Sequence, residues 1–356
     1  MTSDTILVTG AFGSVGAEVV RHLTGQGRRV TATDLDVPSN RRKAASFRRA
    51  GAEVRWADLT RDDEVHGLLA RTEPMAIIHL AAVIPPFCYA RPGLAHRVNV
   101  DATAALIQGA RDLPSPPRFV QASSVAVHGP RNPHRHTGLL TPTTPLNPSD
   151  VYGEHKARVE ERLMASGLDW AILRIGGVIV PEPHWHFDLD LVTFQGMLPV
   201  DGRIHTVDAR DAARAFGTAA TAGVPREVYL IGGDPTHRVR QGDLAPAIAA
   251  VMGLGGGLPP GRPGDPGRDQ AWFATDWMDT TRAQEVLSFQ RHPLPDTFRE
   301  IETKVGWRRR PLSLIAPALR GYLRRRSAPY ETDGPHADPW TEMSARWGST
   351  ATEPVR

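Results

Sequence analysis

The apolar run Ile6-Leu7-Val8 leads directly into Thr9-Gly10-Ala11-Phe12-Gly13-Ser14-Val15-Gly16, and a helical stretch follows. A buried strand that turns this sharply into a helix leaves free amide groups and the positive end of the helix dipole facing the turn. Such a turn is an anion site. Gly10 permits the turn, Gly13 lets the backbone approach a pyrophosphate, and Gly16 lets the helix pack closely on the sheet. Three glycines in a loop say little by themselves. Placed after a strand at the start of the numbering, they restrict the first unit to a dinucleotide-binding βα turn. Its expected cofactor contacts run through Gly10, Phe12, Gly13, Ser14, Val15 and Gly16.

The rest of the first half alternates apolar strands with helical segments, the pattern of a parallel sheet covered on both faces. Strands are predicted over 6–9, 29–34, 53–57, 76–80, 118–123 and 170–175. Helices are predicted over 15–25, 62–71, 92–110 and 151–166. The fold class is therefore α/β, a Rossmann-type doubly wound parallel sheet with a smaller C-terminal substrate-binding lobe. In such a sheet the ligand crevice lies at the carboxyl ends of the strands. We divide the chain into a mainly NAD-binding part (1–175), a substrate lobe with returning Rossmann elements (176–306) and a basic amphipathic tail (307–356).

Asp34 ends the second predicted strand, where a carboxylate accepts hydrogen bonds from the adenosine ribose and repels a 2′-phosphate. This favours NAD over NADP, with Arg41, Arg42 and Lys43 as the residues that could reverse the preference. Asp58 is placed to accept from the adenine amino group with Leu59 covering the ring; capping the next helix is its competing role. Within Tyr152-Gly153-Glu154-His155-Lys156 the phenol and the ammonium share one helix face. A phenol with an ordinary pKa near ~10 is a poor base at neutral pH. A neighbouring lysine cation and a positive nicotinamide ring both favour the phenolate. Ser124, at the end of the fifth strand, can hold the substrate oxygen while Tyr152 carries the proton.

These motifs resemble the extended branch of the short-chain dehydrogenase/reductase superfamily, the NAD-dependent epimerase/dehydratase family, over roughly residues 5 to 300. The glycine motif, His79-Leu80-Ala81-Ala82, Val98-Asn99-Val100-Asp101 and the Ser124, Tyr152, Lys156 set occur in that family's order. The resemblance implies a catalytic triad of Ser124, Tyr152 and Lys156. It also implies that Leu80, Ala81 and Ala82 line the nicotinamide-side ribose, that Asn99 braces the site, and that Val207-Asp208 to Ala215 return the chain to the sheet. Three departures narrow the chemistry. Val125 and Ala126 stand where the family's sugar-nucleotide dehydratases carry Asp-Glu, which speaks against a 4,6-dehydratase. Gly176-Gly177 stand where sugar-nucleotide epimerases carry an asparagine, and His128 replaces a usual tyrosine; both weaken the case for a UDP-sugar.

His184, His186, Asp188 and Asp190 would fall on one face of an extended strand and invite a metal reading. Hydride chemistry with Tyr and Lys needs no metal, so none is expected, and His184, His186 and Phe194 are assigned to the substrate pocket. Residues 252–270, rich in Gly and Pro, should form an irregular mobile connection. A helix should follow, capped by Asp279-Thr280-Thr281. In the tail, seven arginines and no acid lie between Val305 and Arg326. Leu312, Ile315, Leu319, Tyr322 and Leu323 form a helical stripe that Pro317 should kink or interrupt. That stripe is expected to dock on the body or on a partner subunit, anionic membrane contact being the rival; no nucleic-acid module is found. The lone Cys88 excludes an intrachain disulfide, and no signal peptide is read before the first strand. A cytoplasmic homodimer is expected, oxidising or reducing a secondary hydroxyl or carbonyl of a small molecule. A sugar-nucleotide epimerase and a non-catalytic NAD-binding protein are the alternatives.

Overall fold

A computed structural model describes residues 4–183, 188–327, 331–348 and 350. The first half runs β1 (Thr5–Thr9), α1 (Ser14–Gly25), β2 (Arg29–Asp34), α2 (Pro38–Arg49), β3 (Glu53–Trp56), α3 (Asp62–Thr72) and β4 (Ala76–His79). It continues through α4 (Phe87–Ala90), α5 (Pro92–His96), α6 (Ala102–Arg111), β5 (Arg118–Ser124), α7 (Val151–Met164) and β6 (Trp170–Ile175). The second half adds β7 (Gly177–Ile179), α8 (Leu189–Met197), β8 (Arg203–Asp208), α9 (Ala209–Thr221), β9 (Val228–Ile231), β10 (Arg238–Arg240) and α10 (Gln241–Val251). Four helices close the described chain: α11 (Thr281–Leu287), α12 (Leu294–Val305), α13 (Arg309–Ser327) and α14 (Pro339–Trp347).

Seven parallel strands form the main sheet in the order β3-β2-β1-β4-β5-β6-β9. Its faces follow from the period-two alternation of β1. Ile6 and Val8 enter one layer with Val19, Val20 and Phe216. Leu7 enters the other with Ile77, Leu68 and Leu106. With both faces covered, the central strands read as continuous apolar runs. The six predicted strands sit within a residue of their observed ends. The predicted helix over 92–110 is α5 and α6 joined by a π-helical turn, Arg97–Asp101. Helix α2 carried no readable signal, because only Ala44 and Phe47 of its twelve residues are buried.

The chain returns to the main sheet as the Val207–Ala215 resemblance implied. Strand β8 lies between β7 and β10 in a small second sheet. Asp208 then accepts the Arg210 amide at 2.9 Å to cap α9. Helix α9 lays Ala212, Ala215, Phe216 and Ala219 on the α1 side of the sheet, delivering β9 as the seventh strand.

Residues 252–268 are irregular, as expected, yet they are pinned to the body. Val200 donates to the Arg262 carbonyl at 3.0 Å, and the Gly264 amide donates to Asp201 at 2.8 Å. At the start of α11 the acceptor is Asp279, which takes the Thr281 amide at 3.0 Å.

Helix α13 corrects two expectations. It runs unbroken through Pro317, which faces solvent where the carbonyl it releases can be hydrated. Its docked stripe is Leu312, Ala316, Leu319 and Leu323, all within one narrow sector of a 3.6-residue helix. Ile315 and Tyr322 lie beyond the edge of that sector and are about half exposed, at 52% and 49%. Two of the arginines are also held: Arg309 by Glu302 and Arg320 by the Gly256 carbonyl.

Candidate active site

Gly10 adopts φ +62°, and a β-carbon there would stand 2.6 Å from the Ala81 amide nitrogen. A β-carbon on Gly16 would stand 2.1 Å from the Gly10 carbonyl oxygen. The loop and the helix behind it therefore accept only glycine at both positions. Gly13 differs, because the nearest atom to its added β-carbon is the Gly10 oxygen at 3.3 Å. That side is open. No side chain caps α1 and its first turn carries no acid, so its leading amides remain available to an anion. The loop thus fits a pyrophosphate.

Asp34 closes the adenosine side. One carboxylate oxygen accepts the Leu35 amide at 2.8 Å and the other accepts the Phe12 amide at 3.2 Å. Arg41 is turned away and paired with Asp36 at 2.5 Å, while Lys43 donates to the Phe12 carbonyl at 3.1 Å. Two of the three cations that could have overridden Asp34 are thereby engaged. The Phe12 ring lies in a buried stack with Phe47 (4.8 Å) and Trp56 (5.2 Å), so Phe12 offers a ligand only its backbone. Asp58 accepts the Thr60 amide at 3.0 Å and its hydroxyl at 2.7 Å. It caps a turn rather than α3, whose N-cap is Arg61. Leu59 is buried with Val65 and Leu68 in the sheet–helix layer.

At the end of β4, the Leu80 and Ala81 amides lie 3.3 and 3.4 Å from the Thr9 hydroxyl, which also meets His79 Nδ1 at 2.7 Å. Burial drives the His79 imidazole down to about 3, so the ring is neutral. Asn99 sits in the π-helical turn, a local widening often found at functional sites. Its amide donates to the Val83 carbonyl at 2.9 Å and its oxygen accepts the Val83 amide at 2.7 Å. This two-way bond fixes the segment that leaves β4.

Helix α7 begins at Asp150, whose carboxylate accepts the Gly153 amide at 3.1 Å. Tyr152, Lys156 and Glu160 follow at four-residue spacing on the face toward β5. The Ser124 hydroxyl lies on the Tyr152 side and favours the phenolate. Lys156 Nζ donates to the Ala122 carbonyl at 2.8 Å and lies 5.6 Å from the Tyr152 ring centre. Glu160, fully buried, accepts from Ser123 and pairs with Arg174 at 2.6 Å. The structure thus brings Ser124, Tyr152 and Lys156 together, as the motif implied. It adds Glu160 and Arg174 as a buried ion pair behind them. Glu160 extends the Tyr-x-x-x-Lys spacing by one more turn, and that periodicity is the signal that could have found it.

Burial dominates the electrostatics of this site. The Tyr152 phenol lies well above its ordinary pKa, because burial disfavours the phenolate and Cys88 and Asp150 add to that effect, while Ser124 opposes them. Lys156 is depressed to about 8 by burial, with Glu160 pulling upward. Tyr89 donates to Asp150 at 2.6 Å, and burial raises that carboxyl as well.

Phe194, assigned to the pocket from sequence, is buried in the cluster against which Tyr152 packs. His184 and His186 lie outside the described residues. Val125 and Ala126 are buried and carry no proton-transfer group. Gly176 has a physical reason to be glycine: a β-carbon there would stand 2.0 Å from the His205 carbonyl oxygen. At Gly177 an added β-carbon would meet the Ile204 Cδ1 at 2.8 Å, the movable end of a side chain.

The sequence is 29% identical to UDP-glucose 4-epimerase of Mycolicibacterium smegmatis over 315 residues, covering 80% of this chain and 92% of that one. It is 32% identical to D-erythronate dehydrogenase of Cupriavidus necator over 163 residues, 43% of this chain and 47% of that enzyme; the match thus spans about half of its length. Among solved structures, UDP-glucose 4-epimerase of Thermus thermophilus in complex with NAD superposes with a TM-score of 0.67 at 20% identity. That match covers 85% of this chain and 98% of the other. The family described as "NAD dependent epimerase/dehydratase family" matches residues 6–193, more than half of the chain. With the glycine turn and the Ser124–Tyr152–Lys156 geometry inside the matched span, the chain belongs to the NAD-dependent epimerase/dehydratase family, the extended branch of the short-chain dehydrogenases.

Proposed function

We propose that this enzyme uses NAD to oxidise or reduce a secondary hydroxyl or carbonyl of a small molecule, with Tyr152 as the acid/base. The observation that carries the reading is the convergence of Ser124, Tyr152 and Lys156 at the carboxyl end of β5. The loop from Gly10 to Gly16 would hold the pyrophosphate, and Asp34 the adenosine ribose. Leu80, Ala81 and Ala82 would flank the nicotinamide-side ribose. When bound, NAD accepts or returns the hydride, and its positive ring favours the Tyr152 phenolate. Tyr152 Oη takes the proton from the substrate hydroxyl during oxidation and gives it back during reduction. Ser124 Oγ holds the substrate oxygen at that phenol. Lys156, anchored on the Ala122 carbonyl, supplies the cation that makes proton loss from Tyr152 easier. Asn99 keeps the Val83 segment in place beside them.

The same proposal divides the work as read from sequence, with residues 1–175 mainly for the cofactor and 176–306 for the substrate. It also sets the enzyme in the cytoplasm as a homodimer. Among the described residues no helix is long and apolar enough to cross a membrane. Size-exclusion chromatography with light scattering checks the assembly.

A sugar-nucleotide epimerase is the second reading, favoured by the 92% coverage of the M. smegmatis epimerase. The closed space at Gly176 argues against it. Incubating purified protein with NAD and a panel of secondary alcohols, hydroxy acids and UDP-glucose separates the two. NADH formation with a small alcohol supports the first reading, and interconversion of UDP-glucose and UDP-galactose supports the second. Failure to retain NAD at all would sink both.

A further inference from the structure

Helix α14 lies far from the cofactor loop in sequence, yet the chain just past its end reaches the start of the catalytic helix. The Val151 amide, one of the donors that a helix leaves without an internal partner, donates to the Thr350 carbonyl at 3.1 Å. The Ser344 and Thr350 hydroxyls, 3.2 Å apart, hold that carbonyl-bearing end against the helix. Below it, Met343 is fully buried beside Cys88 and Tyr89, and Trp340 and Trp347 pack onto the same cluster as Tyr152. The Trp340 ring stacks on Phe273 at 5.3 Å, Phe273 meets Phe194 edge-on at 5.5 Å, and Phe194 lies 6.4 Å from Trp347.

The segment is fastened along its length. Arg262 binds Glu342, which is 2% exposed, and also donates to the Thr332 carbonyl at 2.7 Å. The Ala337 amide donates to the Pro263 carbonyl at 2.8 Å, and the Trp340 indole donates to the Trp272 carbonyl at 3.1 Å. Arg346 pairs with Asp190 at the head of α8.

We propose that residues 331–348 form the substrate-binding wall opposite the cofactor, and that the wall selects a compact secondary alcohol or ketone with a flat apolar body and no nucleotide. The assignment rests on the reading of Tyr152 as acid/base, because Tyr152 packs on the same cluster as the wall. The chemistry of the wall sets the class. Indole and phenyl faces hold a flat apolar body by area burial and ring contacts. A nucleoside diphosphate instead needs cations. Four arginines around the wall are already committed to acids: Arg131 and Arg203 to Asp276, Arg262 to Glu342, Arg346 to Asp190. Drawing one of them to a diphosphate would strand a carboxylate, and those of Asp276 and Glu342 are almost fully buried.

Cys88 is the one cysteine of the chain and is buried under α14, which makes it a built-in reporter of the wall. The test uses the full-length, NAD-loaded protein with 1-phenylethanol and UDP-glucose as titrants and an aromatic disulfide reagent for Cys88. The wild type should bind 1-phenylethanol saturably and UDP-glucose not at all. Trp347→Ala should weaken 1-phenylethanol about tenfold and speed Cys88 labelling about tenfold, with Trp347→Phe restoring most of both. Met343→Ala, a smaller change in the same layer, should speed labelling and keep the fold by circular dichroism. UDP-glucose binding, or failure of 1-phenylethanol to bind, overturns the substrate class. Labelling and affinity unchanged in Trp347→Ala overturn the wall. A Tyr152→Phe protein that still turns over with the wall results intact would instead sink the acid/base reading, so the two failures are distinct.

Discussion

On the proposed cofactor side, the groups between Gly10 and Asp34 consist largely of backbone: bare amides at the start of α1, a left-handed glycine, one carboxylate at a strand end. On the proposed substrate side, Tyr152 shares one cluster with Val83, Phe194, Phe273, Trp340 and Trp347. The first side is specified by neighbours in sequence, because a turn between a strand and a helix is a local object. The second is specified by packing between segments that have no local reason to meet. A backbone site tolerates little change in glycine and recognises a part common to every reaction of the family. A side-chain wall can be rebuilt without touching the cofactor, which lets one fold serve many substrates.

Acid tests whether the two sides are one cooperative unit, and it carries the largest expected effect. His79 is held at about 3, and His128, His155 and His205 at about 4, by burial against the cationic form. The folded chain keeps these rings neutral while the unfolded chain protonates them below 6.5. Their contribution is therefore fully present above pH ~6.5 and is lost as pH falls toward ~4, at ~1.4 kcal/mol per pH unit for each ring. Urea midpoints measured across this range should fall steeply, with NAD binding and Cys88 protection lost together. A flat profile would contradict the buried neutral histidines, and loss of one side before the other would break the single unit.

Tyr152→Phe comes next. It keeps the ring in the aromatic wall and removes the proton carrier, so turnover should fall by roughly 10²–10⁴. Cofactor affinity, read by calorimetry, should stay close to wild type. Near-normal turnover would disprove the acid/base assignment.

The glycines sharpen the contrast within the cofactor side. Gly16→Ala drives a β-carbon into the Gly10 carbonyl and should lower stability by about 1–3 kcal/mol in a denaturant melt. Gly13→Val meets the Gly10 carbonyl oxygen at 3.3 Å and should cost less stability than Gly16→Ala, yet weaken NAD about tenfold or more by blocking the pyrophosphate. Equal effects of the two changes on stability would show that the loop is not arranged as described.

The smallest effect concerns the choice between NAD and NADP. Asp34→Ser removes the acceptor and the repulsion, and the ratio of NAD to NADP affinity should drop about tenfold. Tighter NADP than NAD binding by the wild type would mean that Arg42 or a released Lys43 overrides the carboxylate.

The sequence alone determined the parallel sheet, its first six strands, the glycine turn and the face of α7 that carries Tyr152 and Lys156. Each rests on short-range periodicity or on residues whose backbone demands are specific: buried strands alternate, Gly10 must take a positive φ, and Tyr152 and Lys156 share a face because four residues make about one turn. The family resemblance correctly carried the return of the chain through Asp208 and α9. Tertiary structure decided the rest. In α13 it buried Ala316 and Leu323 and left Ile315 and Tyr322 half exposed, because the surface that receives a helix selects which sector of it is covered. It added a burial effect that pushes the Tyr152 pKa up, because burial acts on a group only once the chain has closed around it. It also carried Thr350 to the start of α7 and Trp347 to the cluster beside Tyr152, contacts between segments far apart in the chain that no local pattern records.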